Sequence, residues 1–404
     1  MKYVEGGVCA AKGFAAGGIH CGIRKNKTKK DVALIISDKK CTAASVYTTN
    51  LVKGAPIAVT KKNISDGYAQ AVICNSGNAN TCNANGVEIA EKMCELVEKY
   101  TGISASDVVC ASTGVIGQPL DITPIAEHMQ ELKDSVSYNG SRDAAYAIMT
   151  TDTALKEVAV EFECGGKTCY IGGIAKGSGM IHPNMATMLV FITTDCAISS
   201  EMLEKAVRAD VKDTFNMISV DGDTSTNDML SVLANGEAGN AEITAEGADY
   251  DAFVSALRMV TTKLCRAIAK DGEGASKLLE CRVEGAFDVE NARIIAKSII
   301  CSSLVKAAMF GSDANWGRIL CAIGYSGAKV DVNKVAVSFI SSKGEISVCE
   351  NGAGVAFSEE IAKEILLMDD ITISVKLGDG NASATAYGCD LTYEYVKING
   401  DYRT

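Results

Sequence analysis

Histidine is nearly missing from this chain: His20, His128 and His182 are the only three in 404 residues. None has another at a metal-ligand spacing, so neither a zinc site nor a histidine-based catalytic triad is expected. Proline is scarce at 4 residues, and there is no low-complexity tract, which speaks against a disordered bias. No run of 18 apolar residues occurs, and the opening MKYVEGGVCAAKGF has no apolar core of signal-peptide length. A membrane span and a secretory leader are therefore not expected. Positive charge is in deficit, 39 Lys and Arg against 50 Asp and Glu, for a net charge of -11. Nucleic acids and anionic membranes both require a basic face, so a small-molecule substrate is the better expectation. The 16 cysteines contain no CxxC pair, and several sit inside apolar runs, as Cys74 does in AVICNSG and Cys110 in VVCAS. That pattern reads as buried free thiols in a reducing compartment, and a cytoplasmic location is expected.

What is present is enough apolar residue, 47%, for more than one core. DVALIISD (31–38), APIAVTKK (55–62) and AQAVICNSG (69–77) read as short β-rich runs. GVEIAEKMCELVEKY (86–100) reads as a helix with Val87, Ala90, Cys94 and Val97 on one buried stripe. DVVCASTG (107–114) reads as a strand entering a glycine turn. A helix near 122–134, strands KEVAVEFE and TCYIGGIAKG, and the fully apolar strand MLVFITTD (188–195) follow. Helices are expected at about 200–215 and 248–270, the latter burying Phe253, Leu257, Val260, Leu264 and Ala267. CRVEGAF (281–287), a long helix over 289–309 and a β-rich tail through ITISVKL and TAYGCDLTYEYVKI complete the chain. The class is α/β, mixed sheets flanked by helices, with a boundary expected near 280–290 and a smaller C-terminal subdomain from about 285.

The segment KGSGMIHPNMATMLVFITTD (176–195) leads a Gly- and Pro-containing turn (Gly177, Gly179, Pro183) into Ala186 and Thr187, just ahead of a buried strand. A threonine hydroxyl needs a base within hydrogen-bond reach, and histidine is hardly available. An N-terminal threonine carries its own base. If Thr187 attacks the preceding carbonyl, an N-to-O acyl shift and hydrolysis free an α-amine whose ordinary pKa near 8 suits proton transfer at neutral pH. Taken alone, a threonine opening a strand is a structural residue, since β-branched side chains favour strands.

This stretch resembles the signature of the ornithine acetyltransferase family, the bifunctional glutamate N-acetyltransferases of arginine biosynthesis. GGVCAAKGF, TTNLVKGAP (48–56), NSGNANTCN (75–83), ASTGVIGQPL (111–120), SVDGDTSTND (219–228), AKDGEGASK (269–277), GSDANWGRI (311–319) and YVKINGDYRT are similar to family blocks in the same order. The resemblance implies an N-terminal-nucleophile-like sandwich and self-cleavage at Ala186-Thr187. The products would be fragments 1–186 and 187–404, assembled as two copies of each. It implies a ping-pong reaction in which Thr187 takes acetyl from N-acetylornithine and passes it to glutamate. Some members accept acetyl-CoA as donor. No cofactor or metal is implied.

The same resemblance assigns Thr113 and Gly114 to the oxyanion hole, a role worth about 3 to 4 kcal/mol per donor. It assigns substrate binding to Thr150, Lys176, Thr187, Glu273, Asn399 and Thr404. Lys176 suits a carboxylate and Glu273 an ammonium, as a zwitterionic amino acid demands. Adjacent Thr150 and Thr151 allow that position to slip by one. Ala314 and Asp121 stand where the family usually shows proline, both loop-level departures. DGDTSTND begins like a calcium loop but has Thr226 at the turn glycine and Val232 at the twelfth position, so calcium is rejected. DGEGASK lacks the GK pair of a phosphate loop. Two other readings compete: a self-cleaving aminopeptidase or amidohydrolase of the same fold, and an uncleaved amino-acid-binding protein.

Overall fold

The computed structural model describes residues 1–182 and 188–400. In chain order its strands are β1 (Lys2–Val4), β2 (Phe14–Ile19), β3 (Val32–Tyr47), β4 (Tyr68–Asn75), β5 (Val108–Ser112), β6 (Lys156–Cys164), β7 (Lys167–Lys176), β8 (Leu189–Thr194), β9 (Ile218–Ser219), β10 (Met229–Ala234), β11 (Leu278–Ala286), β12 (Ala336–Ser341), β13 (Gly344–Glu350), β14 (Ala353–Gly354), β15 (Asp370–Lys376) and β16 (Ala382–Cys389). The helices are α1 (Ala55–Asn63), α2 (Gly86–Thr101), α3 (Thr123–Ser135), α4 (Ser141–Ile148), α5 (Ser200–Asp210), α6 (Ala248–Lys270), α7 (Val289–Cys301), α8 (Ser303–Phe310), α9 (Trp316–Gly324), α10 (Glu359–Leu366) and α11 (Tyr393–Gly400). The class is mixed α/β with helices on sheets, as the alternating patterns imply. The chain divides into two compact units, Met1–Gly177 with Asn184–Lys212 and Thr224–Leu264, and Ser178–Pro183 with Asp213–Asp223 and Cys265–Thr404.

The first unit is built on a sheet ordered β1-β6-β7-β8-β10-β3-β4-β5, with β2 paired to β3. Successive side chains on a strand point to opposite faces, and both faces are apolar here. Ala33, Ile35, Val72, Cys74, Val109 and Ala111 enter one core with α4 residues Ala144, Ala147 and Ile148. Their neighbours Val32, Leu34, Ala71, Ile73, Val108 and Cys110 enter another, under α2 and α3. Strand β8 is buried at every position: Leu189–Ile192 form its apolar run, and the Thr193 and Thr194 hydroxyls donate to the Val8 (2.6 Å) and Tyr170 (2.8 Å) carbonyls.

The second unit carries the sheet β14-β13-β12-β15-β11-β16-β9. Its core joins Leu279, Cys281 and Val283 of β11 to Ile295, Ile299 and Ile300 of α7 and to Ile365 and Leu366 of α10.

Five expectations need correction. APIAVTKK is helix α1, not a strand: Pro56 sits in its first turn, where a missing N–H costs nothing, and Ile57, Val59 and Thr60 form its buried side. The run 289–309 is two helices, because the Ser302 hydroxyl accepts the Val305 N–H (3.3 Å) and caps α8. TYEYVKI is not strand but helix α11, whose start is marked by the Thr392 hydroxyl accepting the Glu394 N–H (3.2 Å). Val87 is exposed, the buried stripe of α2 running instead through Ile89, Ala90, Met93, Cys94 and Val97. Ala267 of α6 is half-buried. All the cysteines are free thiols, and all but Cys9, Cys82, Cys301 and Cys321 are buried.

Candidate active site

In the first unit, β5 ends at Ser112, and the Thr113 N–H donates to the Asn75 carbonyl (3.0 Å), extending the β4–β5 pairing by one step. Asn75 organises the turn. Its Oδ1 accepts the N–H groups of Gly77 (3.1 Å) and Asn78 (3.0 Å), and its Nδ2 donates to Ser112 Oγ (2.7 Å). Gly114 has φ +131, and a Cβ there would stand 2.8 Å from the Asn78 nitrogen. Only glycine fits, both by conformation and by space.

Lys176 closes β7 and is buried. Its Nζ donates to Thr113 Oγ1 over 3.4 Å. A hydroxyl oxygen that accepts from an ammonium turns its own proton elsewhere, the arrangement an oxyanion donor needs. Burial lowers the Lys176 pKa, while the Asp152 and Asp228 carboxyls oppose that shift.

Asp152, which the sequence reading did not single out, ties this group together. Its Oδ1 accepts from Lys156 Nζ and from the Gly177 N–H, each at 2.7 Å, and its Oδ2 accepts the Thr150 N–H at 2.9 Å. Burial works against its charge, but Lys156, Lys176 and the Gly177 N–H outweigh it and hold the carboxyl far below its ordinary range. Thr113, Gly114, Lys176 and Thr150 are thus joined in one network, two of them through an aspartate that sequence could have offered only as the D of TTDT.

Asp228 is the second missed residue. Its carboxyl is fully buried, its Oδ2 has no hydrogen-bond partner among the described residues, and burial raises its pKa well above the usual carboxylate range despite Ser225 and Lys176. It also directly precedes Met229, which pairs with Leu189 of β8, the residue that faces Lys176 in the β7–β8 register.

In the second unit, Glu273 and Asn399 meet: Asn399 Nδ2 donates to Glu273 Oε2 (2.9 Å). The Glu273 N–H donates to the Ser178 carbonyl (2.9 Å), and a Cβ on Gly179 would lie 2.3 Å from the Glu273 carboxylate, so Gly179 is needed to let that side chain in. Asp221 accepts the N–H groups of Met180 (2.6 Å) and Ile181 (2.8 Å), fixing the other side of this turn. His182 follows, its Nδ1 at 3.1 Å from Ser219 Oγ, and burial with the nearby Lys297 charge pushes its pKa down to about 4. The expected cleavage residues Ala186 and Thr187, and the expected ligand Thr404, lie outside the described residues. Among the described residues no group of three or more His, Cys, Asp or Glu side chains could hold a metal ion, and no helix is long and apolar enough to cross a membrane.

A threonine hydroxyl and a glycine turn beside a buried ammonium make the equipment of acyl transfer, in which negative charge develops on a carbonyl oxygen. Comparison with known proteins makes this specific. The ArgJ family model matches residues 15–404. The arginine biosynthesis bifunctional protein ArgJ of Caldanaerobacter subterraneus is 49% identical over 405 residues, covering 100% of both chains. That of Bacillus subtilis is 47% identical over 403 residues, 99% of this chain and 97% of its own. A crystal structure of the same-named protein from Bacillus halodurans, 46% identical, superposes with a TM-score of 0.51 over 54% of this chain and 100% of that one. The chain belongs to the ArgJ family and is a bifunctional acyltransferase of arginine biosynthesis.

Proposed function

We propose that the chain cuts itself between Ala186 and Thr187 and that Thr187 then carries acetyl from N-acetylornithine to glutamate. The freed α-amine takes the proton from the Thr187 hydroxyl, whose oxygen attacks the acetyl carbonyl. The tetrahedral oxyanion is held by the Thr113 hydroxyl and the Gly114 N–H. Collapse returns the proton to the departing ornithine amine and leaves an acetyl ester on Thr187. The glutamate amine then attacks that ester, giving N-acetylglutamate and the free threonine. Thr150, Lys176, Glu273, Asn399 and Thr404 hold the two substrates, and acetyl-CoA serves as a second donor. Fragments 1–186 and 187–404 work as a tetramer of two each, in the cytoplasm.

The observation that carries this reading is the Lys176–Thr113 contact, an ammonium that leaves the Thr113 proton free to meet an oxyanion. The Bacillus halodurans chain supports the cut, since all of it corresponds to 54% of this chain, the share that residues 187–404 make up (404 less 186, or 218). Denaturing electrophoresis tests the reading directly. Wild type should give two bands, and Thr187→Ala one full-length band with no acetyl transfer. Transfer by an uncut Thr187→Ala protein would overturn it. Deacetylation of N-acetylornithine that is indifferent to glutamate would instead favour the hydrolase reading.

A further inference from the structure

A cavity of about 510 Å³ in the first unit lies outside this network and is lined by Lys53, Lys61, Asn80, Cys82, Asn83 and Val87 among others, with no carboxylate on its walls. Both lysines are exposed. Neither lysine has a carboxylate partner among the described residues. Lys61 also lines a neighbouring cavity, where it rests over the Tyr47 ring (4.9 Å), and burial, Lys53 and Arg208 all lower its pKa. The rim is held in costly backbone: Asn80 and Cys82 both adopt left-handed conformations, with φ +49 and +62. Asn80 is tied down by its side chain, Nδ2 donating to the Gly86 carbonyl (2.8 Å), and by its carbonyl accepting the Ala55 N–H (3.1 Å).

The cavity is also mechanically continuous with the oxyanion turn. Asn227 Nδ2 donates to the Ala79 carbonyl (2.6 Å) and to the Ser112 carbonyl (3.0 Å), bridging the rim loop to the residue before Thr113. A Cβ on Gly54, another lining residue, would stand 2.4 Å from that same nitrogen. Two unpaired ammonium groups, side-chain amides and a volume within the range of nucleotide-sized ligands suit a phosphate ester.

We propose that this cavity binds the phosphorylated nucleotide handle of the acyl-coenzyme A donor, with Lys53 and Lys61 on the phosphates. The proposal rests on the acetyl-CoA part of the reading above. It leaves N-acetylornithine, which has no phosphate, independent of both lysines.

Cys82 is exposed at the rim and Cys321 is exposed in the second unit, so the two thiols report on the site and on a control position. Maleimide labelling, read by peptide mass spectrometry, is followed with and without adenosine 3′,5′-bisphosphate, and with inorganic phosphate alone. The bisphosphate should slow labelling of Cys82 at least fivefold and leave Cys321 unchanged, while phosphate at the same concentration does neither. Lys53→Ala/Lys61→Ala should abolish that protection and raise the KM for acetyl-CoA about tenfold or more. Its N-acetylornithine-driven rate should stay within twofold of wild type. No protection of Cys82, equal protection by phosphate, or KM values that rise together for both donors would overturn the proposal. A wild-type enzyme that transfers from N-acetylornithine but never from acetyl-CoA would overturn it too, leaving the transferase reading intact. Protection of Cys82 in a protein without transferase activity would leave the cavity assigned and sink the transferase reading.

Discussion

Replacing Asp152 by Asn should be one of the most damaging single changes in the first unit. The Asp152 and Lys156 side chains are both wholly buried, and their 2.7 Å ion pair sits where water cannot replace either partner. Asn keeps the shape but removes the charge that offsets Lys156, which also donates to the Ala154 carbonyl at 3.2 Å. Breaking a buried pair from one side costs about 3 to 5 kcal/mol, because it strands a desolvated charge. Hydrogen exchange across β6 and β7, measured in a Thr187→Ala background that keeps the chain whole, reads that loss as a fall in opening free energy. Adding Lys156→Met should recover more than half of it, since the stranded charge is then gone. A loss below about 1 kcal/mol, or a double variant no better than the sum of the singles, would refute the reasoning about an uncompensated charge. The pH sign is also fixed. A carboxyl depressed in the fold stabilises fully above its unfolded value near 4, and the contribution fades only as pH falls below that toward the depressed folded value.

Gly114→Ala forces a Cβ to 2.8 Å from the Asn78 nitrogen at a φ that L-residues avoid, so the turn must move, and acetyl transfer should fall by about 100-fold or more with little change in KM. Wild-type kcat in that variant would remove Gly114 from the oxyanion site. Burial opposes ionisation of Asp228, so the neutral isostere in Asp228→Asn should keep transfer within about fivefold of wild type across pH 6 to 8; a loss beyond 100-fold would mean that the charged form is required. His182 is held neutral down to about pH 4, against an unfolded value near 6.5. Its stabilising contribution is therefore whole above 6.5 and lost as pH falls from 6.5 toward 4, and His182→Gln should flatten the stability profile of the second unit in that window. An unchanged slope would show that His182 does not govern it.

The apolar pattern carried the fold where one period ruled. Strand β8 is unbroken because both its faces are covered, and α6 spans 248–270 as its three-and-four spacing requires. It failed where a polar end signal decided the matter. Pro56 marked a helix start inside a run that looked β-rich, and Ser302 divided a helix pattern that apolar residues continued across. Composition alone could not separate those cases, because Val, Ile and Thr occur in both. The site shows a different limit. Thr113, Gly114 and Lys176 are proposed from resemblance, but Asp152 and Asp228 stand out only through burial, which a sequence does not display. An aspartate in TTDT or STND reads as a turn residue until the structure takes it out of water.

That burial decides the charge of the network. Lys156 and Lys176 bring two positive charges, and Asp152, held ionised by both, returns one negative. If Asp228 were also ionised the group would be neutral, and a developing oxyanion at Thr113 would meet no net attraction. Burial works against the Asp228 charge and so tips this balance toward positive, and Lys176 is the ammonium that meets the Thr113 hydroxyl. Water in the site would weaken this bias, since solvation favours the Asp228 carboxylate and screens Lys176. The buried Asp228, its pKa raised, thus favours an electropositive setting for Thr113, the oxyanion donor proposed above, in a chain whose overall charge is strongly negative.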